Sequence, residues 1–212
     1  MRIHRYGTVD STQHVARALA EGGAPHGTVV LAEAQTAGRG RLDRRWDSAP
    51  GENLLVSLVL RPLGPPRDAP LLTLGAAAGL ALALDLRVKW PNDLVTPDGQ
   101  KVGGILAEME GPVVILGLGL NVNQTRFDGL PNAISLAMLR GPQDREAVLD
   151  TLIGAILGWS EHPARLDLWR ERSHTLGKHV RIGEIEGVAT GLTDDGGLIV
   201  GGEVVRVGEI GA

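Results

Sequence analysis

The centre of the predicted sheet reads KVGGILAEMEGPVVILGLGLN and covers residues 101–121. Two apolar runs, 102–109 and 113–120, are joined there by Gly and Pro, so we predict a pair of neighbouring strands. Glycines alternate with leucines near the end of the second run, which lets a ligand or another backbone approach closely. Taken alone, this glycine pattern is weak, and close packing of strands is the simpler explanation for it.

Further strands and helices are expected on both sides of this pair. Short β-branched or apolar runs indicate strands, apolar spacing of three and four indicates helices, and clusters of Gly, Pro, Asn and Asp indicate turns. Strands are expected at 2–6, 28–33, 53–60 and 87–90, helices at 13–20, 71–84, 144–159 and 163–173, a loop at 37–51 and a linker at 62–70. This order predicts an α/β fold with a mixed sheet.

The residues after 176 follow a different pattern. Short alternating segments separated by Gly- and Asp-rich turns are expected at 180–182, 186–193, 198–200 and 204–207. Such spacing is typical of a small β-barrel. We therefore predict two domains, an α/β domain over residues 1–174 and a β module over residues 175–212.

Composition excludes several classes of protein. The 212 residues are enough for a hydrophobic core, and the absence of cysteine rules out disulfides, thiol nucleophiles, zinc ribbons and iron–sulfur clusters. A formal net charge of −4 argues against a protein that coats nucleic acid. The longest apolar stretch, 71–86, is shorter than the roughly 20 residues that span a bilayer. No signal peptide is visible, so the expected compartment is the cytoplasm.

Lysine is scarce in this chain. Of 21 Lys and Arg residues, only Lys89, Lys101 and Lys178 are lysine. A lysine is a compact charge on a flexible stem, a use that arginine does not fill. Lys89 begins the motif Lys-Trp-Pro-Asn-Asp, and Lys101 begins the next strand beyond the turn at 97–100. Sites of α/β proteins commonly lie at such strand ends, although an ordinary Asn-Asp turn with an incidental lysine gives the same pattern.

An arginine-rich loop is the second candidate site. Residues 38–46 contain four arginines, two glycines and, at the end, Trp46. Glycine lets backbone N–H groups approach an anion, and arginine pairs bidentately with phosphate and carboxylate. A solvated surface loop explains the same charges equally well. The six histidines show no metal-ligand spacing, and no serine lies in a nucleophile elbow, so neither residue type adds a site.

In their order along the chain, these motifs resemble those of the biotin protein ligases. That family has an early Asp-Ser-Thr, a Gly-Arg-Gly-Arg loop closed by Trp, a Lys-Trp-Pro-Asn-Asp motif, a Lys-x-x-Gly-Ile-Leu strand and a Gly-x-Gly-x-Asn strand end. The matches here are at 10–12, 38–46, 89–93, 101–106 and 117–121. The chain departs from the family pattern twice. Asp43 stands where the family usually has glycine, and the segment between Asp93 and Lys101 is about one residue longer than is common.

The resemblance implies a class II aminoacyl-tRNA-synthetase-like α/β domain followed by an SH3-like module. It also implies a reaction in two steps. The carboxylate of biotin attacks the α-phosphate of ATP to give biotinyl-AMP and pyrophosphate, and a lysine of a biotin carboxyl carrier domain then attacks the acyl carbonyl. Attack between two anions requires positive charge close to both, supplied by basic side chains and by Mg²⁺ held mainly by the phosphates.

The same resemblance gives each site residue a role. Lys101 is expected to stabilise the α-phosphate together with Arg39 and Arg41, and Asp93 to orient the acceptor lysine. The expected contacts to biotin are Ser11, Thr12, Gln13, Gln35, Arg39, Gly40, Arg41, Lys101 and Gly104. The expected contacts to ATP are Arg39, Arg41, Trp46, Asn92, Lys101 and Asn121, with Trp46 stacked on the adenine.

The sequence also leads to expectations about the mobility of the Gly/Arg loop and about binding partners. Because the Gly/Arg loop has no apolar anchor before Trp46, we expect residues 39–45 to be mobile without ligand and to close over it. We expect no specific DNA binding, because the chain begins directly with the first catalytic strand and its net charge is negative. No association with a membrane is expected, and a homodimer formed through a sheet edge is consistent with the family.

Three other functions remain open at this point. A lipoate or octanoate ligase shares the fold and the adenylate chemistry, but the intact Gly/Arg loop and the Lys-Trp-Pro-Asn-Asp motif favour biotin. A transcriptional regulator built on a biotin-sensing domain is disfavoured by the negative charge. A binding module without catalysis is disfavoured because Lys101 and the loop arginines are all retained.

Overall fold

The computed structural model describes residues 2–42, 44–62 and 69–210, without the side chains of Ala69 and Glu110. The named elements follow the chain in the order β1 (Ile3–Val9), α1 (Thr12–Glu21), β2 (Thr28–Gln35), β3 (Leu54–Leu60), α2 (Ala69–Ala83), β4 (Arg87–Lys89), β5 (Asp93–Val95), β6 (Lys101–Glu110), β7 (Val113–Leu120), α3 (Leu136–Arg140), α4 (Arg145–Trp159), α5 (Arg165–Glu171), β8 (His179–Ile182), β9 (Ile185–Leu192), β10 (Leu198–Val200) and β11 (Glu203–Val205).

The structure confirms the expected strands and helices, with bounds shifted by a few residues, and adds β5 and α3. Those two elements have three and five residues, too few for a hydrophobic period to become visible in the sequence. The expected linker at 62–70 falls largely on residues 63–68, which lie outside the described residues.

Two compact units make up the chain, and they interleave along the sequence. The first unit contains Met1–Ala69 and Gln100–Thr151, and the second contains Pro70–Gly99 and Leu152–Ala212. The division into domains at residues 174 and 175 stays a prediction.

The first unit is built on a mixed sheet with the strand order β1-β2-β3-β7-β6. β1 and β2 are parallel, whereas β3 pairs with β2 and β7, and β6 with β7, in antiparallel fashion. The α/β class with a mixed sheet is therefore confirmed. Every residue of β3 is buried, which places this strand in the middle of the core.

Helix α1 covers one face of this sheet because its apolar residues recur at helical spacing. Ala16 and Ala20 join a buried cluster with Val30, Val59 and Ile115 of the strands. The helix begins where the Ser11 side chain accepts a hydrogen bond from the Gln13 backbone N–H. Placed in this way, the first turn of α1 carries three of the residues that the sequence assigns to a ligand.

The second unit contains two closely packed helices and a small sheet. A Cβ at Gly79 of α2 would lie 2.7 Å from the Cβ of Trp159 in α4, so glycine allows the helices to approach. Strands β8 to β11 form an antiparallel sheet in the order β11-β10-β9-β8, which confirms the expected β-rich C-terminal segment. Within the described ranges, no helix combines the length and apolar character needed to cross a membrane.

Candidate active site

Eleven of the thirteen predicted site residues lie in the first unit, around the start of α1, the end of β2 and the strands β6 and β7. They are Ser11, Thr12, Gln13, Gln35, Arg39, Gly40, Arg41, Trp46, Lys101, Gly104 and Asn121. The other two, Asn92 and Asp93, lie in the second unit. There, β4 and β5 form an antiparallel pair in which Lys89 is opposite Asp93.

A polar cluster surrounds the first turn of α1. The Gln35 side-chain oxygen accepts a hydrogen bond from the Thr12 backbone N–H at 2.7 Å and a second from the Thr12 hydroxyl at 3.1 Å. Ser11 and Thr12 are almost fully buried. The family resemblance implies that Ser11, Thr12 and Gln35 contact one ligand, and the structure brings the three together at a helix N-terminus.

Asp10 stabilises the backbone just before this turn. Its carboxylate accepts from the Ser11 backbone N–H at 2.6 Å and lies 2.7 Å from His14 Nδ1. The hydrogen bond to His14, followed by that from Ser11, holds the pKa of Asp10 below its usual range. Asp10 is therefore ionised at neutral pH and acts on the conformation of the turn.

Gln13 crosses to the strands instead of pointing into solvent. Its Nε2 donates to the backbone oxygen of Leu106 at 2.9 Å, and a Cβ at Gly117 would lie 2.9 Å from its Cδ. The glycine in β7 is thus explained by a close side-chain contact. Gln13 connects α1 to β6, and a direct contact to ligand stays a prediction.

The Gly/Arg loop forms a tight hairpin. Arg39 and Arg45 form an antiparallel bridge, the Gly40 N–H donates to the Arg44 oxygen at 2.7 Å, and the Trp46 N–H donates to the Gly38 oxygen at 3.0 Å. The mobility expected for residues 39–45 stays a prediction. The effect of Asp43 also stays open, because that residue lies outside the described residues.

The indole of Trp46 packs against glycines of the two central strands. A Cβ at Gly119 would lie 2.2 Å from the indole Cε2, and one at Gly104 would lie 3.5 Å from its Cζ3. Lys101 Nζ is 5.8 Å from the centre of the indole ring, within the range of a cation–π contact. Among the described residues, the buried Trp46 Nε1 has no hydrogen-bond partner, so it retains a donor for a ligand.

Lys101 has a fixed backbone at the first position of β6. Its N–H donates to the Asn132 oxygen at 2.6 Å, and its own oxygen accepts from Ile134 at 2.9 Å. Asn121 is buried, and its Nδ2 donates to the Ile134 oxygen at 3.1 Å. Asn121 therefore supports the backbone near Lys101, and its contact to adenine stays a prediction.

Glu108 is a residue that the sequence motifs did not point to. This β6 carboxylate, whose side chain is 18% exposed, contacts Arg39 Nη2 at 2.8 Å and Arg39 Nη1 at 3.2 Å. It also accepts from Arg17 of α1 at 3.0 Å. Arg39 is thus neutralised by a protein carboxylate, and an anionic ligand must compete with Glu108 for it. An acid that follows the apolar part of β6 was the available signal.

We expect Glu108→Gln to loosen the hairpin, because the charge that holds Arg39 is lost. Trypsin should then cleave the loop about two- to fivefold faster in the absence of ligand, as fits a partly exposed ion pair. Glu146→Gln is the matched control, since it breaks the Arg5–Glu146 pair elsewhere in the first unit. Equal cleavage rates in the two variants would contradict this role for Glu108.

In the second unit, Trp90 and Lys178 have structural partners. The buried Trp90 donates from its backbone N–H to the Thr175 hydroxyl oxygen at 2.9 Å and from Nε1 to the Gly196 oxygen at 3.3 Å. Burial, followed by the charges of Lys178 and Lys89, lowers the pKa of His174. Neutral His174 can accept a hydrogen bond from Lys178 Nζ, 2.8 Å from its Nε2.

The arrangement in the first unit combines a polar cluster with a basic, aromatic surface over glycines. In the part of the chain that the structure describes, no group of three His, Asp or Glu side chains could hold a metal ion.

Several known proteins are similar to this chain in sequence and in fold. The model of the biotin/lipoate A/B protein ligase family matches residues 6–123. The chain is 36% identical to the bifunctional ligase/repressor BirA of Bacillus spizizenii over 91% of this chain and 67% of that protein. It is 35% identical to the biotin–[acetyl-CoA-carboxylase] ligase of Paracoccus denitrificans, over 93% of both chains. The biotin protein ligase of Aquifex aeolicus, solved with biotin and ATP, has a TM-score of 0.82 and 29% identity, covering 99% of this chain and 97% of that one.

Proposed function

Because this chain belongs to the biotin/lipoate A/B protein ligase family, we propose that it is a biotin protein ligase, which activates biotin with ATP and transfers it to a lysine of an acceptor protein. One observation carries the proposal. Gly38 lies between the polar cluster at the start of α1 and the Lys101–Trp46 pair. A Cβ at Gly38 would lie 2.9 Å from Gln35 Nε2 and 2.3 Å from the backbone oxygen of Trp46. One unit therefore offers adjoining places for a polar head group and for a nucleotide.

In the first step, a carboxylate oxygen of biotin attacks the α-phosphorus of ATP. The bond from that phosphorus to the bridging oxygen of the β-phosphate breaks, and pyrophosphate leaves. The ammonium group of Lys101 faces the charge that develops on the α-phosphate, while Arg39 and Arg41 neutralise the approaching anions. The proposed nucleotide substrate is MgATP, with the ion held mainly by the phosphates.

In the second step, the neutral amine of the acceptor lysine attacks the acyl carbonyl of biotinyl-AMP. An amide bond forms, the bond from the acyl carbon to the phosphate oxygen breaks, AMP leaves, and the proton of the amine passes to solvent. Asp93 is our candidate for orienting the incoming amine. Closure of the Gly/Arg loop keeps water away from the mixed anhydride between the two steps.

We also propose the domain organisation, the acceptor, the compartment and the assembly of the enzyme. We infer a class II aminoacyl-tRNA-synthetase-like domain over residues 1–174 and an SH3-like module over residues 175–212, supported by the fold shared with the Aquifex aeolicus enzyme. The proposed acceptor is a biotin carboxyl carrier domain, the proposed compartment is the cytoplasm, and a homodimer through a sheet edge is the proposed assembly. Repressor activity is not part of the proposal.

Exchange of labelled pyrophosphate into ATP tests the activation step. We expect exchange with MgATP and biotin, and no more than about 1% of that rate with lipoate or octanoate, because the polar cluster suits a hydrogen-bonding head group. Exchange with lipoate alone would contradict the proposal. Sequence-specific retardation of DNA by the chain would contradict the absence of repressor activity.

A further inference from the structure

The hydroxyl group of Ser57 lies beside the polar cluster but has no part in the reaction described so far. Ser57 is the single polar residue of β3, whose sequence is LLVSLVL, and it is fully buried. Its Oγ lies 2.8 Å from Thr12 Oγ1. An unpaired hydroxyl in an apolar core costs free energy, and here Thr12 provides the partner.

The directions of these hydrogen bonds can be derived from the groups present. The Gln35 oxygen can only accept, and it is identified as oxygen because the Thr12 backbone N–H points at it from 2.7 Å. The Thr12 hydroxyl therefore donates its single proton to Gln35. Since that proton is used, the bond between the two hydroxyls forms only if Ser57 donates and Thr12 accepts.

This chain of bonds determines what the cluster can offer to a ligand. Thr12 Oγ1 can only accept, because its proton is committed. Gln35 Nε2 can only donate, because the amide oxygen faces Thr12. Ser11 Oγ accepts from the Gln13 N–H and so has its own proton left to donate. The cluster thus presents donors at Gln35 and Ser11 and an acceptor at Thr12.

We propose that Ser57 is a positioning residue that holds Thr12 Oγ1 in place as the acceptor of the head-group subsite by donating a hydrogen bond to it. The polarity fits a cyclic urea, whose carbonyl oxygen accepts from the donors and whose adjacent ring N–H donates to Thr12. This inference rests on the proposed function. It adds that discrimination of the head group depends on a serine that does not touch the ligand.

Ser57→Ala removes this hydrogen bond and leaves the Thr12 hydroxyl with only its longer bond to Gln35, at 3.1 Å, so the Thr12 oxygen is held less firmly as an acceptor. We expect the Kd for biotin, measured by calorimetry, to rise about tenfold. The KM for ATP and kcat in pyrophosphate exchange should stay within twofold. Ser57→Cys keeps the shape of the side chain and has a weak S–H donor, so its Kd for biotin should lie between those of the wild type and Ser57→Ala.

Val59→Ala is the matched control within β3. Val59 is fully buried in the core beneath α1, so the variant reproduces a loss of packing without changing a hydrogen bond. Its thermal unfolding temperature should fall, while its Kd for biotin stays within twofold of the wild type. If Val59→Ala weakened biotin binding as much as Ser57→Ala does, general destabilisation would explain the effect and the proposal would be wrong.

A double-mutant cycle tests whether Ser57 acts through Thr12. In a Thr12→Val background, which itself weakens biotin binding, Ser57→Ala should change the Kd less than twofold. A second measurement uses the cyclic carbamate analogues of biotin, in which one ureido N–H is replaced by oxygen. Wild type should reject the analogue that places oxygen opposite Thr12, and Ser57→Ala should reduce its preference for biotin about fivefold or more.

Two failures are distinguishable. Absence of biotin-dependent exchange by the wild type would overturn the proposed function, and this inference with it. If the wild type is active and Ser57→Ala has the same Kd values for biotin and for the carbamates as the wild type, only the inference would be overturned. A full tenfold effect of Ser57→Ala in the Thr12→Val background would also overturn it.

Discussion

Lys101→Ala is expected to reduce biotin-dependent pyrophosphate exchange by about 10²–10³-fold in kcat, the usual cost of removing one preorganised charge or donor from a developing anion. The backbone of Lys101 is held on both sides by Asn132 and Ile134, and its ammonium group lies near the Trp46 ring. This geometry positions the charge before the substrates arrive. The loss should therefore appear mainly in kcat, with a smaller change in the Kd for biotin.

Two variants complete this experiment. Lys101→Arg keeps the charge but spreads it over a planar group, so we expect at most a partial recovery of exchange. Lys178→Ala is the control, since Lys178 contacts His174 in the second unit, and its activity should stay within twofold of the wild type. Exchange by Lys101→Ala at a rate close to that of the wild type would remove the central assignment of the mechanism.

Much of the fold could be predicted because its elements have strong local signals. β3 is apolar except for Ser57, β7 contains only apolar residues and glycine, and α4 has a clear apolar stripe. β5 and α3 were missed because three to five residues cannot show a period. Local sequence also gave no sign that 100–151 belong with the N-terminal unit, because such association depends on contacts between distant residues.

The resemblance to the biotin protein ligases indicated which residues form the candidate site, but not which side chains bond to one another. Glu108 reaches Arg39 from a strand 69 residues away, and Ser57 reaches Thr12 from 45 residues away. Pairings of this kind arise from the register of the sheet, and no local motif encodes them. A lone Ser in LLVSLVL was nevertheless a signal, because a buried strand keeps a polar residue only when a partner exists.

Gly119→Ala is expected to be the other strongly damaging substitution, although it adds one methyl group. The new Cβ would lie 2.2 Å from Trp46 Cε2, which is closer than two non-bonded carbon atoms can approach. β7 cannot move aside, because Gly119 is paired with Leu55 of β3 and with Gly104 of β6. The indole must therefore leave its position.

Because Trp46 is the proposed platform for adenine and the end of the Gly/Arg loop, its displacement should raise the KM for ATP at least tenfold in pyrophosphate exchange. The tryptophan emission should shift to longer wavelength as the ring becomes exposed. Gly191→Ala in β9 is the matched control, since its Cβ would meet only Ile199 Cδ1, at an ordinary 3.7 Å. That variant should leave both the KM for ATP and the emission unchanged. If Gly119→Ala also left them unchanged, Trp46 would not be the adenine platform, and binding of ATP would have to depend on other residues of the unit.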